Sequence, residues 1–106
     1  MYQKQTPHRD AEYRTWIRTQ PCALCGSGPS QAAHQSILDQ AVGRKADDRF
    51  ILPLCWLCHL AGEHQHGVLT TWNQRSGHTF KDKYILKDHI RELCKRYFER
   101  YQKEAS

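Results

Sequence analysis

Two Cys-x-x-Cys pairs, Cys22/Cys25 and Cys55/Cys58, constrain this chain more than any other feature. The spacing lets both sulfurs of a tight knuckle point at one ion, and two such pairs complete the tetrahedral shell of a structural zinc. About thirty residues separate the pairs. A dithiol redox centre is the rival reading, but it needs a βαβ setting that this sequence does not offer. Cys94 is left over in a helical pattern, where a buried thiol is expected.

At 106 residues with 39% hydrophobic content and a mean hydropathy of −0.83, the chain reads as a single domain, 1–106, with a modest core. A metal staple supplies stability that such a core lacks. No apolar run is long enough to span a bilayer, and residues 1–5 lack the apolar region of a signal peptide, so no membrane association is expected. A cytoplasmic location is expected, where paired cysteines serve as metal ligands more often than as disulfides. Sixteen Lys and Arg against eleven Asp and Glu leave a net charge of +5, which favours a polyanionic partner such as DNA.

The secondary structure frames the cysteines. Thr6-Pro7 predicts the start of an N-terminal helix over about 7–20, ended by Pro21. Residues 31–37 are a weak strand candidate, 39–49 a polar loop, and Phe50-Ile51-Leu52 a short strand brought to a stop by Pro53. A helix should begin at Trp56, with Gly62 interrupting it, and a second should cover 68–76. The clearest element is a C-terminal helix over about 84–103, whose stripe of Leu86, Ile90, Leu93, Cys94, Tyr97, Phe98 and Tyr101 follows the helical period.

A second group of metal-binding side chains adjoins the second knuckle. Cys58 is followed by His59, Glu63, His64 and His66. Neutral imidazoles suit a further divalent cation, and a site with few protein ligands keeps the open positions that hydrolysis needs. His59 and Glu63, four apart, share a helix face. His59 and His64, five apart, diverge in an ideal helix, so joint ligation requires the backbone to unwind near Gly62.

Taken in order, Cys22-x-x-Cys25, Ala33-His34, and Phe50-Ile-Leu-Pro-Leu-Cys55-Trp-Leu-Cys58-His59 with His64 resemble an HNH, or ββα-metal, endonuclease. The similarity extends to small phage and prophage nucleases with a Gly-x-Lys-x-x-Asp loop, which here reads Gly43-Arg44-Lys45-Ala46-Asp47-Asp48. The resemblance covers about 21–67. It implies an α+β, treble-clef-like ββα core stapled by zinc and flanked by N- and C-terminal helices. It also implies metal-dependent DNA hydrolysis, with Mg2+ or another divalent cation at the catalytic centre. On this reading His34 occupies the general-base position, His59 and His64 the catalytic metal positions with His34 or Glu63 as alternative further ligands, and Arg44 and Lys45 contact DNA.

Two departures accompany the resemblance. The family asparagine is missing from the run, since the single asparagine is Asn73, which leaves Asp47 or Asp48 to brace the loop. The residue before His34 is Ala33, where many such enzymes carry a metal ligand. Either His34 is the ligand and the base lies elsewhere, or His59, His64 and a third group hold the ion. A non-catalytic, zinc-stabilised DNA-binding module is the alternative, and a protein–protein zinc adaptor a third.

Overall fold

The computed structural model describes residues 10–38 and 48–105, without the side chains of His64 and Ala105. The expected helix start at Thr6-Pro7 and the candidate DNA contacts Arg44 and Lys45 lie outside the described residues. The element order is α1 (Ala11–Arg18), β1 (Ser30–His34), β2 (Ile51–Cys55), α2 (Trp56–Leu60), α3 (Val68–Arg75) and α4 (Lys83–Ala105). The fold is α+β, with one two-stranded antiparallel sheet and four α-helices among the described residues.

The strands pair from Ser30 opposite Cys55 to His34 opposite Ile51. The expectation that Pro53 stops the second strand is corrected, because β2 runs through it to Cys55. The register supplies the reason. Gln35 donates its amide to the Phe50 carbonyl at 2.9 Å, and bonded partners alternate along an antiparallel ladder. Pro53, opposite Ala32, therefore stands at a position where no ladder N–H is required. Its carbonyl points the other way and accepts from the Ala23 amide at 2.8 Å, which docks the first knuckle against β2.

Alternation along the strands gives the hairpin two covered faces. Ala33, Leu52 and Leu54 join Cys22, Leu24, Trp72, Leu86, Ile90 and Cys94 in one buried cluster. Ile51, with Ala32 packed against it, meets Tyr13 and Ile17 of α1 on the other. Helix α4 serves both: Leu86, Ile90 and Cys94 belong to the first cluster, while Phe98 and Tyr101 cover the second. Its 23 residues make a rod about 35 Å long, enough to bridge the two. Tyr13 anchors the junction, its ring 5.1 Å from Phe98 and 5.0 Å from Tyr101. The helical stripe read from the sequence is thus the element that joins α1 to the core beside the four cysteines.

Helix α1 begins at Ala11, where Asp10 caps it by accepting from the Tyr13 amide at 3.0 Å. After Leu60 the helix widens into a π-helical turn, Ala61–Gln65, with the His66 amide bonded to the Ala61 carbonyl at 2.8 Å. In place of the interruption expected at Gly62, the helix continues through it in π-helical form from Ala61. No helix among the described residues is long and apolar enough to cross a membrane.

Candidate metal centre and active site

The four knuckle sulfurs converge. Cys22, Cys25, Cys55 and Cys58 bring their Sγ atoms within 4.8 Å of one another, and Cys25 and Cys55 lie 3.6 Å apart. A tetrahedral zinc with Zn–S bonds of about 2.3 Å requires S···S edges of about 3.8 Å, so the donor set fits one structural ion. Cys55 ends β2 and caps α2, and Cys58 sits one turn into that helix. On the first knuckle, Gly26 takes φ +76°, a left-handed conformation that a glycine tolerates without penalty. That turn lets the Gly26 amide reach the Cys22 carbonyl at 2.9 Å and the Cys22 amide reach Ser27 at 2.8 Å.

The surroundings treat these thiols unequally. The Ser27 hydroxyl, 2.9 Å from the Cys25 sulfur, and the Ser27 backbone hold the Cys25 thiol down to about 6. Burial opposes ionisation of Cys55, but hydrogen bonds from the Cys58 backbone and thiol outweigh it, and its pKa falls. Burial pushes the Cys58 thiol well above the ordinary range. Arg75 reaches in from α3 and places Nη1 3.7 Å from the Cys58 sulfur, bringing a positive charge to a centre whose four thiolates exceed the charge of one zinc ion.

The histidines divide between the two faces of the hairpin. His34 is three residues from Gln31 along β1, so their side chains leave opposite faces. His34 lies on the α1 side, and its Nε2–H donates to Oδ1 of Asp48 at 2.8 Å. The Asp48 carboxylate is fully buried, whereas the His34 side chain is 33% exposed. The other oxygen of Asp48 accepts from the Asp10 amide at 2.6 Å and from Nη1 of Arg14. A carboxylate that fixes one imidazole nitrogen leaves the lone pair of the neutral ring on the other, the arrangement of an oriented general base.

On the opposite face, Nδ1–H of His59 donates to Oε1 of Gln31 at 2.7 Å, and Ser36 donates to Glu63 at 2.9 and 3.1 Å. The structure therefore lays His59 beside Gln31, near the start of β1, and Glu63 beside Ser36, just past its end, and the described side chains do not group His34 with them. The described side chains assemble only one group of three or more metal ligands, the four cysteines. His64 lies in the π-helical turn and its side chain is outside the description.

Of the residues around the two histidines, the sequence suggested Asp48 as a loop brace but missed Arg14 and Asp10 on the His34 side and Gln31 beside His59. Asp10 and Arg14 are one helical turn apart and read from sequence as a local pair, with no signal pointing to a carboxylate 34 residues further on. The single asparagine has a structural task. Asn73 accepts from the Phe80 amide at 2.7 Å and donates to its carbonyl at 3.2 Å, tying the segment after α3 back to that helix.

Comparisons with known proteins bear on these observations. The profile of a family described as "Protein of unknown function (DUF968)" matches residues 2–89. A 46-residue stretch is 46% identical to the uncharacterized protein YdfU of Escherichia coli (strain K12), covering 42% of this chain and 13% of that protein's length. No solved structure matches.

Proposed function

The chain belongs to the DUF968 family, and from that premise we propose that it is a metal-dependent DNA endonuclease of the HNH, ββα-metal type. The observation that carries the reading is the pair of His34 and Asp48: a half-exposed imidazole held at 2.8 Å by a fully buried carboxylate. A base oriented by a buried acid is what activation of a water nucleophile requires. The antiparallel hairpin followed by α2, with a four-cysteine site at their junction, is compatible with a zinc-stapled, treble-clef-like core. The basic balance of the chain suits a phosphodiester polymer.

In this proposal zinc is structural and is held by Cys22, Cys25, Cys55 and Cys58. A catalytic divalent cation, Mg2+ or another, would offset charge on the phosphate; its candidate ligands, His59 with His64 and Glu63, lie apart from His34, so base and cation would have to meet the phosphate from opposite sides of β1. His34 takes the proton from water through Nδ1 while Asp48 retains the proton on Nε2. Asp48 stands in for the family asparagine as the group that ties the loop to the base.

One observation favours the alternative, a non-catalytic zinc-stabilised DNA-binding module. Ala33 is fully buried at the strand position where many such enzymes carry a metal ligand, so β1 offers neither a histidine nor a carboxylate on that face. A plasmid-nicking assay with magnesium, manganese or nickel separates the two, comparing wild type with His34→Ala at matched zinc content. Cleavage by wild type alone supports the nuclease. Equal DNA binding without cleavage by either protein leaves the binding module.

A further inference from the structure

We infer that Arg14, on the N-terminal helix and outside the zinc-bound hairpin, is a positioning residue for His34. The inference rests on the base role proposed above. The observations are three contacts to one buried carboxylate. Oδ1 of Asp48 takes the His34 Nε2–H at 2.8 Å, and Oδ2 takes the Asp10 amide at 2.6 Å together with the Arg14 guanidinium.

The division of donors between the two oxygens has a geometric consequence. Two donors on Oδ2 stop the carboxylate from rotating, so Oδ1 is held at a fixed point in front of His34. The imidazole must then give its N–H to Asp48 through Nε2, and its lone pair falls on Nδ1. With a third of the His34 side chain exposed, solvent has access to the ring.

Charge supplies the second half of the argument. A fully buried carboxylate demands a cationic partner. Arg14 is permanently charged and donates to it directly. The guanidinium therefore holds the carboxylate in the orientation in which Oδ1 meets the imidazole N–H. Asp10 and Arg14 lie at the start of α1, one turn apart, so docking of that helix and readiness of the base are one event.

The test uses the full-length, zinc-loaded protein with two substitutions, Arg14→Gln and Arg14→Lys. Plasmid nicking gives kcat and KM, and the 15N shifts of the His34 ring, assigned by their loss in His34→Gln, report which nitrogens carry protons. The neutral wild-type ring should carry its proton on Nε2. Arg14→Gln should shift the neutral ring toward a mixture with the Nδ1–H tautomer and lower kcat on the order of tenfold to a hundredfold, with KM for DNA essentially unchanged. Arg14→Lys should restore most of both.

A wild-type ring protonated on Nδ1 overturns the inference, as does Arg14→Gln with unaltered ring shifts and kcat. A rise in KM alone would recast Arg14 as a phosphate contact and overturns it too. Should Arg14→Gln lose zinc or helicity, Arg14→Lys decides: wild-type shifts and kcat support the inference, and loss of both in a folded protein overturns it. If the wild type cuts no DNA, the ring shifts still judge the network, so failure of the nuclease reading is told apart from failure of this one.

Discussion

Asp48 and His34 are joined across the closed end of the hairpin, with Oδ1 of the fully buried acid 2.8 Å from Nε2 of the half-exposed imidazole. Asp48 lies three residues before β2, and His34, Asp10 and Arg14 donate to it from β1 and α1. It ties the N-terminal helix to the strand that carries His34.

Replacing that acid should therefore affect both stability and activity. Asp48→Asn leaves the Arg14 guanidinium beside an uncharged amide, and breaking a buried ion pair costs about 3–5 kcal/mol. Urea unfolding should show the loss, and nicking activity should fall in the fraction that remains folded. A variant with wild-type stability would mean that Asp48 carries no charge-pairing role.

Metal removal should unfold the domain. Binding and folding are coupled in small zinc modules, and both knuckles dock onto β2 through Cys55 and the Pro53 carbonyl. Cys55→Ser, or exhaustive chelation of wild type, should abolish the cooperative thermal transition and release one zinc per chain. Circular dichroism with a colorimetric zinc assay checks it. A folded, zinc-free Cys55→Ser protein would refute the structural site.

Cys94 gives a pH dependence with a definite sign. Burial among the core residues pushes its thiol up to about 12 from an ordinary value of 9.0. Between those values the unfolded chain has lost the proton while the folded chain keeps it, so the folded state binds more protons and stability falls as pH rises. The contribution is complete below pH 9 and is lost progressively toward pH 12. Other groups titrate in the same range, so the measured quantity is the difference between wild type and Cys94→Ala in urea midpoint against pH. That difference should narrow as pH climbs.

The two faces of α4 predict opposite tolerance. Ile90 is fully buried in the cluster shared with Leu52 and Trp72, and Ile90→Ala should cost about 2–5 kcal/mol. Arg91, one residue on, makes an exposed ion pair with Asp88, and Arg91→Ala should change stability by no more than about 1 kcal/mol. Thermal melts of the zinc-loaded variants distinguish them.

The Asn73 clamp is also testable. Asn73→Ala removes two hydrogen bonds to the Phe80 backbone, worth about 1–3 kcal/mol together. Amide exchange at Phe80 should accelerate while zinc content and the contacts of His34 are retained, which would separate this asparagine from the His34–Asp48 pair.

Much of this protein was determined by its sequence alone, wherever a rule acts over a single turn or knuckle. The four-thiol site followed from two spacings of three, since each pair is closed by local backbone geometry. The stripe from Leu86 to Tyr101 followed from the helical period. Tertiary structure decided the rest. Which face of β1 carries His34 depends on the hairpin register, in which a slip of one residue exchanges the faces. Whether Pro53 ends a strand depends on which way its missing N–H points, and that too is set by register. The contacts of Asp48 with Arg14 and His34 span 34 and 14 residues. No local period encodes such separations; they exist because two hydrophobic clusters, packed on opposite faces of one hairpin, bring α1 against the start of β2.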